Sequence, residues 1–104
     1  MKTSELQGAA LDWAVAEASG TPIYRCGKTL TRMDVDGNAD WKPSIDWAQG
    51  GPIIEREGMG VFKLGYVRGW ASGFQSGPTP LIAAMRCYVA SKLGDEVKIP
   101  EELK

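Results

Sequence analysis

The sequence predicts an α+β fold in which a small antiparallel β-sheet is flanked by an N-terminal and a C-terminal α-helix. Apolar residues recur at helical spacing near both ends of the chain. The middle contains short β-type runs separated by glycines, and their connections are too short for parallel crossovers. At 104 residues, 43% of them apolar, the chain is expected to form one domain, 1–104, around a single modest core.

The first helix is predicted from Ser4 to Ala18, with Thr3 or Ser4 as its N-cap. Its apolar stripe consists of Leu6, Ala10, Trp13 and Ala14, with Leu11, Val15 and Ala18 beside it. Gly20 ends the helix, and Pro22 follows at the usual distance.

Short strands are predicted in the middle of the chain at Ile23–Cys26, Pro52–Glu57, Val61–Leu64 and Tyr66–Ser72. Glycines separate the last three runs, so an antiparallel meander is the economical arrangement. Core packing is the default expectation for Trp41, Trp70 and Phe74, and Trp13 is expected in the core as part of the helical stripe. Of the first three, Trp70, which lies in a glycine-flanked strand, is the best candidate to line a pocket with Trp47.

The segment Asp34–Asp40 is predicted to be a turn, because Asp36-Gly37 suits positive φ angles. Its spacing resembles a calcium-binding loop. However, the glycine stands at position 4 instead of 6, and Ile45 occupies the place of the bidentate glutamate. The sequence therefore predicts a plain turn and no metal site.

The C-terminal helix is defined by local signals at both ends. Thr79 is the predicted N-cap, Pro80 suits the first helical position, and Gly94 follows the last turn. The helical stripe between them consists of Leu81, Ile82, Met85, Tyr88, Val89 and Leu93. The charged tail, 95–104, includes one candidate for a last strand around Val97 and Ile99.

Composition excludes several function classes. The chain contains no histidine, which removes Ser-His-Asp and Cys-His catalysis and imidazole metal ligands. A net charge of −1 disfavours nonspecific nucleic-acid binding, although a local basic face of Lys63, Arg68, Arg56 and Arg86 stays open. No apolar run approaches the roughly 20 residues of a membrane helix, and the N-terminus lacks a signal peptide. A cytoplasmic protein with reduced Cys26 and Cys87 is expected.

The segment Ser44–Gly58 contains the best candidate for a ligand site. Trp47 can stack on a flat group, Gln49 can donate and accept hydrogen bonds, and Gly50-Gly51 can direct backbone N–H groups to an anion. The predicted ligand-binding residues are Asp46, Trp47, Gln49, Gly50, Gly51, Pro52, Arg56, Arg68, Trp70 and Thr79.

An alternative for the same segment is an edge strand whose charges prevent unwanted pairing, with Gly-Gly-Pro as a simple turn. In strand geometry, Glu55 and Glu57 would share a face with their carboxylates about 7 Å apart. Such a pair suggests acid–base hydrolysis, but neither residue has a partner in the sequence that would separate the two pKa values. No catalytic residue is therefore assigned, and an enzyme is not the favoured expectation.

Three blocks, 8–16, 46–57 and 78–95, resemble the NinX-like family of small proteins from lambdoid bacteriophages and prophages. The resemblance covers nearly the whole chain and is weakest from Tyr24 to Lys42. It implies a phage accessory protein made in the host bacterial cytoplasm. It supplies no reaction, no catalytic residues and no fold, so none is carried over.

The favoured function is non-catalytic binding of a nucleotide-like small molecule. In the phage setting that the resemblance implies, small proteins often counter host defence, some by sequestering a nucleotide signal and others by binding a host protein. The alternative is a protein-interaction module that inhibits or adapts a host protein, with the exposed aromatic residues as anchors. No cofactor, metal ion or membrane contact is expected. A homodimer would be a natural way to complete a pocket from such short elements.

Overall fold

The computed structural model describes residues 1–33, 39–63, 69–72 and 75–104. Helix α1 spans Gly8–Ser19, α2 spans Trp47–Glu57 and α3 spans Pro80–Leu93. One antiparallel sheet has the strand order β1 (Ile23–Cys26), β2 (Thr29–Arg32) and β3 (Ala39–Asp40). A second has the order β4 (Phe62–Lys63), β5 (Trp70–Ser72) and β6 (Gln75–Gly77). The predicted α+β class is confirmed, with its antiparallel strands divided between two meanders.

Helix α1 begins four residues later than predicted. A short 3-10 helix, Thr3–Glu5, precedes it, and its N-cap is Gln7 without a side-chain cap. Thr3 does not cap α1, because its Oγ1 donates to the Gly94 carbonyl oxygen at 2.7 Å. The predicted end is confirmed, since Gly20 terminates the helix in the left-handed region with φ 71°.

Strand β1 has the predicted bounds and pairs with β2 through a tight turn in which Gly27 has φ 62°. Strands β2, β3 and β6 were not predicted. Of the predicted turn, 34–38 lie outside the described residues, and Ala39–Asp40 form β3. The predictions for residues 64–68 and for Phe74 likewise fall outside the described parts of the chain.

Helix α2 corrects the prediction of a strand at Pro52–Glu57. Asp46 caps it, its Oδ1 accepting from the Ala48 N–H at 2.9 Å, and Gly58 ends it with φ 65°. Pro52 lies inside the helix, where it has no N–H to donate to the preceding turn. Because α2 is helical, the predicted shared strand face of Glu55 and Glu57 is wrong.

The core lies between α1 and α3 and extends to the sheets and the C-terminal tail. Its buried members include Leu11, Val15, Leu30, Trp41, Ile53, Met85, Tyr88 and Val89. Trp41 is buried as expected, whereas Trp13 is half-buried against the core. In the tail, Val97 and Ile99 are buried, but the pairing there is a single bridge between Lys2 and Glu96 instead of a strand. No helix in the described ranges is long and apolar enough to cross a membrane.

Candidate functional site

The structure places the predicted tryptophan and diglycine stretch at the start of α2. Trp47 is 56% exposed, as the prediction requires. Gly50 is buried inside the helix, and its N–H donates to the Asp46 carbonyl oxygen at 2.8 Å. The expected open loop with outward-facing glycine amides is therefore wrong, because the helix already uses this donor.

Gln49 has a structural position at the base of α2. Its Oε1 accepts from the Lys42 N–H at 2.6 Å, and its Nε2 donates to the Asp40 carbonyl oxygen. Both ends of the amide thus connect α2 to the segment that follows β3. The side-chain amide of Gln49 is therefore already hydrogen-bonded at both its oxygen and its nitrogen, and it holds α2 against the first sheet.

The structure separates the predicted site residues instead of joining them. Trp47 and Thr79 line one recess of about 180 Å³, together with Ile45. Gln49, Pro52 and Arg56 line another of about 130 Å³, whose other lining residues are Ser19, Thr21, Arg32, Trp41, Ala48 and Ile53. Asp46 caps α2, Trp70 pairs with Gly77 in the second sheet, and Arg68 lies outside the described residues.

A larger concave site, not predicted from the sequence, lies between the start of α1 and the β2–β3 side of the first sheet. We call it the α1 cleft. Its volume is about 260 Å³, and it is lined by Gly8, Ala9, Asp12, Lys28, Thr29, Leu30, Asp40, Trp41, Lys42, Ser44 and Ile45. It shares Trp41 with the smaller recess at Arg56, and Ser44 and Ile45 with the recess at Trp47.

Asp12 is a buried carboxylate in the α1 cleft. It is 5% exposed, and its Oδ1 accepts from the Ser44 N–H at 2.9 Å. Within the described residues, Oδ2 has no hydrogen-bond donor and the carboxylate has no ion-pair partner. Desolvation by burial raises the pKa of Asp12 to about 6, and the contacts from Ser44 act against this rise.

Ser44 brings a second buried polar group to the same place. The residue is 1% exposed, and its Oγ has no well-aligned hydrogen-bond partner among the described groups. The hydroxyl nevertheless lies near enough to Asp12 to lower the pKa of that carboxyl group as a hydrogen-bond donor does. The N–H and the hydroxyl of Ser44 therefore both act on Asp12.

Trp41 fixes the wall of the cleft. Its indole Nε1 donates to the backbone carbonyl oxygen of Asp12 at 2.8 Å, and the guanidinium of Arg32 lies 5.3 Å from the ring centroid. This bond ties the strand side of the cleft to α1. The spacing between Asp12 and the Lys42–Ser44 segment therefore depends on a buried ring and not on flexible surface side chains.

Charges of both signs surround the cleft. Lys28 and Lys42 line it together with Asp40 and Asp12. Gly8 and Ala9 bring in the start of α1, where the first-turn N–H groups have no side-chain cap and carry the positive end of the helix dipole. Such a site suits a ligand that has an anionic group as well as hydrogen-bond donors.

One sequence signal for this cleft was present: Asp12 interrupts the apolar face of the first helix, between Leu11 and Val15. A carboxylate there is expected to be costly unless it has a partner or a function. Its neighbours Trp41 and Ser44 are 29 and 32 positions away along the chain. No local pattern indicates that they meet Asp12. Among the residues that the structure describes, no three cysteine or carboxylate side chains are grouped so as to hold a metal ion.

The family model described as Bacteriophage P22, NinX matches residues 2–92. The chain belongs to this family. The NinX match extends over every residue that lines the α1 cleft and over all three helices except Leu93. It confirms the resemblance seen in the sequence and identifies a bacteriophage protein, consistent with an accessory role. No curated protein matches the chain.

Proposed function

We propose that this NinX-family protein binds a nucleotide-like small molecule in the α1 cleft, without catalysing a reaction, in the cytoplasm of the infected bacterium. One observation carries the proposal: the buried carboxylate of Asp12 lines the cleft, and the bond from the Ser44 N–H to its Oδ1 leaves acceptor capacity that the described protein groups do not use. A polar ligand with hydrogen-bond donors would use that capacity.

The start of α1 suits the anionic part of such a ligand. Uncapped N–H groups at a helix N-terminus bind phosphate and carboxylate groups. Lys28 and Lys42 line the same cleft and add positive charge from two other segments. Asp12 and Asp40 offset that charge, which favours a ligand with donor groups over a bare polyanion.

The size of the cleft limits the ligand. Its volume of about 260 Å³ lies just below the range of roughly 300–1,000 Å³ for pockets of drug-sized ligands. A mononucleotide or a smaller sugar phosphate fits this limit, whereas a dinucleotide would extend onto the rim at Ile45. Binding such a molecule tightly would remove it from the host, which is how we propose the protein acts on a host signal.

Binding without catalysis is favoured by the chemistry of the cleft. The chain has no histidine, so no imidazole is present to move protons near neutral pH. Ser44 is 1% exposed, which keeps its hydroxyl from attacking a substrate bound in the cleft. Asp12 then serves as a hydrogen-bond acceptor.

Calorimetric titration with inorganic phosphate, ribose 5-phosphate and nucleoside monophosphates tests this function. Lys28→Ala and Lys42→Ala are each expected to weaken phosphate-dependent binding about tenfold, as charge-assisted hydrogen bonds do. Lys98→Ala, which removes an exposed lysine outside the cleft, is the matched control and is expected to bind like the original protein. Lack of heat with every probe, from well-folded protein, would contradict the proposal.

A second candidate function rests on the recess beside the cleft. Ile45 is 69% exposed and Trp47 56%, and both line the recess at the start of α3. Two large apolar side chains exposed side by side are typical of protein-interaction anchors. A host protein, or a second copy of the chain, is the partner expected for this patch.

Trp47→Ala separates the two candidates. If the patch anchors a protein, this variant loses a stoichiometric host partner in pull-downs, or its dimer in sedimentation, while nucleotide titrations stay unchanged. If the α1 cleft carries the function, Lys42→Ala weakens nucleotide binding about tenfold and Trp47→Ala leaves it unchanged. Thr21→Ala, which alters the recess at Arg56 and lines neither the α1 cleft nor the recess at Trp47, serves as the control for both measurements.

A further inference from the structure

We infer that the Asp12 carboxylate recognises sugar hydroxyls, so that the α1 cleft selects sugar phosphates with a free hydroxyl pair over their deoxy counterparts. The inference rests on the proposed function, because it assigns parts of the ligand to places within the same cleft. The Ser44 N–H donates to Oδ1 of this carboxylate at 2.9 Å and holds it in place at the cleft.

The geometry of α1 determines which part of the ligand lies beside Asp12. Gly8 and Asp12 lie four residues apart on the same helix face and both line the cleft. At 1.5 Å per residue, they are about 6 Å apart along the helix axis. A phosphate held at the first-turn N–H groups therefore places the next part of the ligand beside Asp12. In a nucleoside 5′-phosphate that part is the sugar, and the base lies beyond it.

The unused acceptor capacity of Asp12 matches a hydroxyl pair. An ionised carboxylate has about four lone-pair sites. Within the described residues, the Ser44 N–H donates to Oδ1 and the Ser44 hydroxyl lies beside the carboxylate, which leaves about two sites unused. Two neighbouring hydroxyl groups supply two donors in a fixed geometry. Carboxylates bind ribose hydroxyls in this way in dinucleotide-binding folds.

The groups that line the cleft with Asp12 bear on how its recognition depends on pH. They are the N-terminus of α1, Lys28 from the β1–β2 turn, Asp40 from β3, and Lys42 and Ser44 from the following segment, of which Ser44 bonds to the carboxylate. Burial raises the pKa of the carboxyl group to about 6. Hydroxyl donors favour the ionised form and lower that pKa on binding. Affinity for hydroxyl-bearing ligands is therefore expected to fall as the pH drops below 6.

The decisive experiment compares a ribonucleoside 5′-monophosphate with its 2′,3′-dideoxy counterpart and with inorganic phosphate, by calorimetry on the full chain at pH 7.5. The dideoxy compound is expected to bind about tenfold more weakly or worse, as for hydrogen bonds to a charged group. In Asp12→Asn the two nucleotides are expected to differ by less than about threefold. Lys98→Ala is expected to keep the original preference.

Each contrary outcome has its own meaning. Equal binding of the two nucleotides, with inorganic phosphate still bound and still dependent on Lys42, overturns this inference and leaves the proposed function standing. Absence of binding with all three probes overturns both. An unchanged preference in Asp12→Asn also overturns the inference.

A second measurement avoids dependence on the folding of the Asp12 variant. The affinity ratio of the two nucleotides is measured with the original protein at pH 5 and pH 7.5. Both compounds carry the same phosphate, which itself titrates near pH 6, so its contribution cancels in the ratio. The ratio is expected to shrink at pH 5, where Asp12 is mostly protonated; a ratio that does not change with pH contradicts the inference.

Discussion

At Asp12 the carboxyl group lies where ionisation is unfavourable, because burial removes it from water and no cation in the described residues pairs with it. Its pKa rises from 3.8 to about 6 for this reason. The folded state thus binds the proton more tightly than the unfolded state. Ligand sites commonly contain a residue of this kind, one that lines a cleft and lowers the stability of the protein at neutral pH.

Asp12→Asn is predicted to stabilise the protein at neutral pH. The folded pKa lies above the unfolded one, so the free energy of unfolding falls as the pH rises from about 4 to 6 and stays lowered above that range. The shift corresponds to roughly 3 kcal/mol at most. The asparagine oxygen retains the bond from the Ser44 N–H.

Urea denaturation at pH 4 and pH 7.5 measures this effect. In the original protein, the contribution of Asp12 to the free energy of unfolding is expected to be more favourable at pH 4 than at pH 7.5. The variant is expected to lose this difference between the two pH values. A variant less stable than the original protein at pH 7.5 would show that the ionised carboxylate makes favourable interactions and would contradict the interpretation.

At the scale of elements, α2 determines how the candidate site is assembled. Asp46 caps it, Gln49 connects it to Asp40 and Lys42, and Gly50 brings its backbone close to neighbouring segments. A Cβ added at Gly50 would lie 2.4 Å from the Pro43 carbonyl oxygen and 2.6 Å from Leu81 Cδ2. Close packing of α2 therefore requires glycine at position 50, the first residue of the diglycine.

Gly50→Ala is predicted to destabilise the protein by about 1–3 kcal/mol or more, since a backbone oxygen must move to make room. Gly51→Ala is the matched control, because its added Cβ would meet only Trp47 Cε3 at 3.8 Å. Alanine is also the better helix former by about 1 kcal/mol, so Gly51→Ala is expected to be neutral or stabilising. Thermal denaturation of both variants tests the pair, and equal stabilities would contradict the close docking of α2.

At the scale of the whole molecule, the two ends of the chain form one unit with the core. The Met1 ammonium group donates to the Val97 carbonyl oxygen at 2.9 Å, and Thr3 binds the end of α3. Arg86 donates through Nε to the Leu6 carbonyl oxygen and through Nη1 to the Ser76 carbonyl oxygen, both at 2.8 Å. One side chain thus joins the N-terminal segment, α3 and the second sheet.

Arg86→Met is predicted to destabilise the protein by about 3 kcal/mol, because it leaves two carbonyl groups without their donors. Arg25→Met is the control. It also removes a link between distant parts of the chain, an ion pair with Glu102 at 3.1 Å, but that pair is exposed and is expected to contribute under about 1 kcal/mol. Urea denaturation compares the two, and similar losses would contradict the central position of Arg86.

Local chemistry made parts of this fold predictable. The signals for α3, Thr79, Pro80 and Gly94, act within a turn of the helix they delimit, and the structure confirms them. Strand β1 was also predicted with its bounds. The run at Ile53-Ile54 gave the wrong element, because two adjacent apolar residues suit either a strand or a helix.

The α+β class, the C-terminal helix, the NinX family and the exposure of Trp47 could be predicted from the residues alone, since each depends on neighbouring residues or on long matching blocks. The helical state of α2 and the meeting of Asp12, Trp41 and Ser44 at a cleft are visible only in the folded protein. Those contacts join segments about 30 residues apart, and they form because packing of α1 against the first sheet brings the segments together. Local propensity carries no information about such pairings.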